Sequence, residues 1–103
     1  MIEIFRALAE PGRLQIVELL LRESLPVGVV AARLGMRQPQ VSKHLRWLSE
    51  SGLVEMRPDA QRRIYGLRGQ AFLEMNVWVE RYRDVWEAQF DRLDGVLEEL
   101  GDG

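Results

Sequence analysis

The chain has 103 residues, 47% hydrophobic and 29% charged, with a formal net charge of −2 at pH 7 and no cysteine. That length fits one domain able to bury about two-thirds of its unfolded surface, and the missing thiols exclude disulfides, thiol redox chemistry and thiolate metal sites. No apolar run approaches the roughly 18 residues of a membrane span, and the first residues lack the basic start and apolar stretch of a secretory signal, so a cytoplasmic protein without a membrane partner is expected.

Residues 2–9 (IEIFRALA) predict a short helix with Ile2, Phe5, Leu8 and Ala9 on one face. Pro11 suits the first turn of a second helix, running to about Arg22 and burying Leu14, Val17, Leu20 and Leu21. Ser24 to Pro26 reads as a connector. A third helix spans about Val27 to Leu34, and Gly35 stops it. A fourth starts near Gln38, tolerates Pro39 in its first turn, and repeats Val41, Leu45 and Leu48 at the spacing of a buried stripe. Pro39, Lys43, Arg46 and Glu50 point the other way, flanked by Gln40, Ser42 and Trp47. Arg37 stands at the N-cap, where it supplies no capping oxygen.

Leu53 to Arg57 and Arg62 to Leu67 predict a β-hairpin around the turn-rich PDAQ, ending near Leu67 because Gly66 and Gly69 disfavour a longer strand. From Gln70 to Leu100 one long helix is expected. Met75, Val79, Tyr82, Trp86, Phe90, Leu93, Leu97 and Leu100 form a near-heptad stripe along it. At 1.5 Å per residue the stripe is about 38 Å long, more than one small domain covers, and a second copy of the chain would cover it.

The fold class is therefore mainly α with a small β-hairpin: a winged helix-turn-helix, in the order ααααββα, with a long C-terminal helix for dimerisation. The whole chain, 1–103, is expected to form a single domain. Residues 27–52 are its helix-turn-helix, 53–67 its wing, and 1–10 and 70–100 its dimerisation helices. Charge follows the same division. Residues 33–68 carry eight basic side chains against three acidic, whereas residues 69–103 carry three against nine. Because charges beyond about 8–10 Å are screened at physiological salt, a polyanion would meet the basic middle third and the acidic end would face away.

The segments ALAEPGRLQIVELL (7–20), QPQVSKHLRWLSESGLV (38–54) and RRIYGL (62–67) resemble the ArsR/SmtB family of bacterial transcriptional repressors. The resemblance implies a homodimer built on its first and last helices. Such a dimer binds imperfect inverted repeats in promoter DNA and, in most members, lets go when an effector binds. The expected function is a sequence-specific, dimeric regulator that is not an enzyme and needs no cofactor, with room for a small-molecule effector.

The expected partners are double-stranded DNA and a second copy of the chain. For DNA, the candidates are Gln38, Gln40, Ser42, Lys43, His44 and Arg46 on the fourth helix, with Arg62 and Arg63 on the wing. Gln can pair with adenine, and Arg or Lys with guanine or phosphate. Each has a plainer alternative: Gln38 and Ser42 as cap or solvated residues, His44 as a packed side chain, Arg62 and Arg63 as ordinary hairpin charges. Tyr65 reads as an anchor of the wing. For the dimer interface the candidates are Ile2, Phe5, Tyr82, Trp86, Phe90, Leu93 and Leu97. The stripe's aromatic residues read as core, here of the dimer, before they read as a ligand pocket.

No metal site is expected. The family's cysteine pair falls on Pro26 and Gly28, its C-terminal histidines have no counterpart in residues 68–103, and Asp91, Asp94, Glu98 and Glu99 read as a solvated face. A protein–protein module using the same basic surface is the competing reading. An enzyme has little support, because the one histidine and Ser42 share an exposed helix with no built site around them.

Overall fold

The computed structural model describes residues 1–101. In chain order they form α1 (Ile2–Leu8), α2 (Pro11–Leu20), β1 (Leu25–Pro26), α3 (Val27–Leu34), α4 (Gln38–Glu50), β2 (Val54–Asp59), β3 (Arg62–Leu67), α5 (Gly69–Glu80) and α6 (Arg83–Gly101). The chain divides between Phe72 and Leu73 into two compact units. Among the described residues no helix is long and apolar enough to cross a membrane.

The first unit is a winged helix-turn-helix. α3 stops as its glycine dictates: Gly35 takes φ +64°, and its N–H bonds the Ala31 carbonyl. α4 follows with Pro in its first turn and, as Arg37 implied, no side-chain cap. Its stripe of Val41, Leu45 and Leu48 is fully buried, beside Ile16, Val30 and Leu53.

α1 buries another face than expected, and α2 buries Val17 and Leu20 as expected but not Leu14 or Leu21. α1 turns Ile4 and Ala7 inward and leaves Ile2 63% exposed; it ends at Leu8, so Ala9 is its C-cap. α2 buries Gly12, Ile16, Val17 and Leu20, while Leu14 is exposed and Leu21, past the helix end, is 75% exposed. α2 has apolar residues in nearly every direction, so its periodicity admits two stripes, and tertiary packing selects one.

The expected connector contains a strand. β1 pairs antiparallel with β3, Leu25 opposite Tyr65 and Pro26 opposite Ile64, giving the order β1-β3-β2. Pro26, which has no N–H to donate, sits on this edge strand. A Cβ at Gly66 would collide with Ser24, so glycine at that point of β3 lets the chain before β1 approach. The hairpin tip is also shorter than PDAQ. Pro58 and Asp59 continue β2 opposite Arg63 and Arg62, and the turn is Ala60-Gln61 alone. A two-residue hairpin turn needs positive φ, which Ala60 adopts at +56°.

The second unit begins at Leu73. The single long helix expected there is two helices, with Arg81-Tyr82 between them. No proline or glycine causes the break. Instead the hydrogen bonds tighten from i−4 to i−3: Arg81 N–H to the Trp78 carbonyl (3.2 Å), Tyr82 to Val79 (2.9 Å) and Val85 to Tyr82 (3.0 Å). The Trp78 and Tyr82 rings meet at 4.8 Å, and Arg83 bridges Glu80 (2.9 Å) and Glu87 (3.8 Å) across the junction. No residue of α6 is buried.

Candidate nucleic-acid interface

The interface is built outward from α4. With Val41, Leu45 and Leu48 buried, the helical repeat turns Gln38, Gln40, Ser42, Lys43 and Arg46 to solvent together. Arg46 bonds Glu50 one turn on, at 3.2 Å. Both side chains are largely exposed, so the pair is weak and yields readily to a phosphate. Lys43 forms no ion pair among the described residues, and its ammonium stays available. Gln38 leans toward α3, near Gly28. On the wing, Arg62 faces Asp59 across the tip at 3.7 Å, Arg57 pairs with Glu55 at 3.0 Å, and Arg63 stands exposed. Tyr65 is half-buried in the central strand, in the anchoring position expected of it.

His44 does not join this face. Its side chain is 13% exposed, with Nδ1 3.8 Å from Glu10 Oε2. Nε2 is buried without a hydrogen-bond partner among the described residues and would lie 2.9 Å from a Cβ at position 12. Glycine at position 12 makes the space, and the imidazole fills it. His44 therefore sits as a packed side chain, apart from the exposed residues of α4.

Glu10 is the N-cap of α2. The Arg13 backbone N–H donates to its carboxylate at 2.8 Å. That bond, the largest effect, joins the Gly12 N–H and the nearby His44 and Arg13 to hold the carboxyl below its ordinary 4.5, against an opposing loss of hydration.

Arg13 lies in the ALAEPGRLQIVELL segment but among none of the candidate site residues, yet it is the most connected cation of this region. Its Nε donates to the Ala7 carbonyl at 2.7 Å, its Nη2 to Arg6 at 3.2 Å, and its guanidinium lies 4.6 Å over the Trp47 ring. Sequence carries no sign of this contact, which exists only because α2 crosses α4.

Of the residues expected at a dimer interface, Ile2 is exposed and Phe5 half-buried on α1. On the C-terminal unit Tyr82, Phe90, Leu93 and Leu97 are exposed, Phe90 at 62%, and Trp86 is half-buried. No group of three or more potential ligand residues is placed to hold a metal ion among the described residues.

Residues 10–56 match the family described as bacterial regulatory protein, arsR family. The chain is 36% identical over 78 residues to the HTH-type transcriptional regulator Rv2034 of Mycobacterium tuberculosis, covering 76% of this chain and 73% of that protein. It is 42% identical over 64 residues to the transcriptional activator HlyU of Vibrio cholerae, covering 62% of this chain and 59% of HlyU. The match with the nodulation protein NolR of Rhizobium meliloti covers 57% of that protein, so these two relatives are spanned over little more than half their length. Among solved structures, the homodimeric winged helix-turn-helix DNA-binding domain Mb0332 of Mycobacterium bovis superposes with TM-score 0.66 at 32% identity, covering 80% of this chain and 76% of that one.

Proposed function

The chain belongs to the arsR family of bacterial regulatory proteins, and from that premise we propose that it is a dimeric, sequence-specific DNA-binding transcriptional regulator, a repressor occupying an imperfect inverted repeat in a promoter. The observation that carries the proposal is the division of α4. One face is sealed into the core by Val41, Leu45 and Leu48, and the other offers Gln38, Gln40, Ser42, Lys43 and Arg46 without a buried obligation.

In this reading α4 enters the major groove and the wing reaches phosphates beside it. Gln40 reads a base edge, Lys43 and Arg46 hold phosphate or guanine, and Arg62 and Arg63 grip the backbone. A second copy covers α1 and the apolar stripe of α6, in line with the homodimer described for the Mycobacterium bovis domain. The two α4 helices then meet half-sites about one helical turn apart. The role places the protein in the cytoplasm with promoter DNA.

Selection of binding sites from a random duplex library at near-physiological salt tests this reading. Enrichment of an inverted repeat with half-sites about 10 bp apart is expected. Binding without enrichment that vanishes as salt rises would reduce the basic face to a general polyanion surface and defeat the proposal.

A further inference from the structure

The first turn of α2 is a joint between three helices, and Arg13 is its pin. The Glu10 carboxylate fixes the turn through the Arg13 backbone N–H. From there the guanidinium serves two neighbours. It donates to the Ala7 and Arg6 carbonyls at 2.7 and 3.2 Å, in the last turn of α1, where the Arg6 carbonyl also accepts the Ala9 N–H at 3.4 Å. It also lies 4.6 Å over the Trp47 ring of α4. Trp47, with Glu50 of α4, Ser51 just past its end, and Glu3 and Arg6 of α1, walls a surface hollow of about 250 Å³.

Position matters here. Along α4, Lys43 and Gln40 stand four and seven residues before Trp47, so the ring Arg13 covers continues the row that carries both. Ile16 and Val17 of α2 and Leu45 and Leu48 of α4 are all buried, and the Arg13 side chain's hydrogen bonds and ring contact run elsewhere, to α1 and Trp47. Arg13→Ala is expected to spare this core and to free the orientation.

We infer that Arg13 is a positioning residue for DNA binding: its guanidinium ties α4, through Trp47, to the C-terminal end of α1 and sets the angle at which Gln40 and Lys43 meet the duplex. The inference rests on the DNA-binding reading of α4. It adds that α1, the helix proposed to meet the second copy, and α4, the helix proposed to meet DNA, are coupled through one side chain.

The test uses the full chain and the duplex selected by the unaltered protein. Affinity is measured by fluorescence anisotropy across a salt series for Arg13→Ala, Trp47→Ala, Trp47→Phe and the Arg13→Ala/Trp47→Ala double variant. Arg13→Ala and Trp47→Ala are each expected to weaken binding about tenfold, within the scale of one cation–π contact. The double variant is expected to match the single ones, because both remove one interaction.

The slope of log affinity against log salt stays as it was, since Arg13 touches no phosphate, whereas a phosphate contact would cost about one unit of slope. Trp47→Phe keeps a ring face and retains most of the affinity. Multiplicative losses, a slope lower by about one, or an Arg13→Ala protein that binds as tightly as the parent would each overturn the inference. Should Arg13→Ala not fold by circular dichroism, the Trp47 pair decides: Phe binding tighter than Ala supports the tie, and equal binding removes it. Failure of the parent protein to select any duplex defeats the DNA reading itself and is seen before any variant is made.

Discussion

α4 and α6 are both amphipathic, yet they finish with opposite faces uncovered. In α4 the apolar residues are sealed, Val41 and Leu48 at 0% and Leu45 at 1% exposure, and the polar, basic side meets solvent. In α6 the apolar residues Phe90, Leu93 and Leu97 are themselves in solvent, on a segment rich in acids. A sealed apolar face makes a helix part of a folded core; an open one needs cover from elsewhere. The difference assigns different partners. The free face of α4 suits a polyanion, and the free face of α6, on an acidic segment, suits another apolar surface.

Substitutions that act on one helix and spare the other put this contrast at risk. Leu45→Ala should have the largest effect, destabilising the fold by about 2–5 kcal/mol in urea denaturation, because it opens a cavity beside residues with no solvent to relax into. Phe90→Ala, removing a larger but exposed side chain, should leave a dilute sample's midpoint nearly unchanged. A comparable loss from both would erase the contrast.

Trp86→Ala should instead weaken self-association by about 2 kcal/mol, roughly thirtyfold, in sedimentation equilibrium, as truncation of an aromatic interface anchor does. Association unaltered by Trp86→Ala would remove that residue from the interface. Lys43→Ala should weaken DNA binding several-fold for every sequence and lower the salt slope by about one, while Gln40→Ala should relax preference at one base position, worth about 1–3 kcal/mol. Equal loss by Gln40→Ala on all duplexes would make it a backbone contact.

The smallest effect is at acid pH. The Glu10 carboxyl is held below 4.5, so its stabilising contacts are complete above the ordinary carboxylate value and are lost as pH falls through its lowered one. Glu10→Gln should lower the melting temperature at neutral pH and flatten the acid limb of stability. An acid limb identical to the parent's would detach Glu10 from it.

The sequence spoke most clearly where a local rule leaves a single solution. Gly35 followed by Pro39 bounds the turn, and the spacing of Val41, Leu45 and Leu48 admits one buried face, so α3, α4 and the solvent-facing polar residues of α4 could be read directly. It was ambiguous in α2, whose Leu14, Ile16, Val17, Leu19, Leu20 and Leu21 offer more than one stripe. It was silent on β1, because two residues have no period, and on the break at Arg81-Tyr82, which involves neither glycine nor proline. The inward turn of His44 and the reach of Arg13 to Trp47 depend on how helices cross, a property of the assembled unit that no one segment contains.

The fit of the His44 imidazole against Gly12 has a consequence for how this chain can change. A methyl group at position 12 would displace Nε2 and press on the Glu10 carboxylate at 3.1 Å, and a smaller residue at position 44 would leave the space beside Gly12 unfilled. Neither position can drift alone without loss, so viable variants should exchange bulk between them: Ala at position 12 tolerated once residue 44 has shrunk, and rejected while it has not. Two residues on different helices thus form one unit of inheritance, and a library randomised at both should return them as correlated pairs.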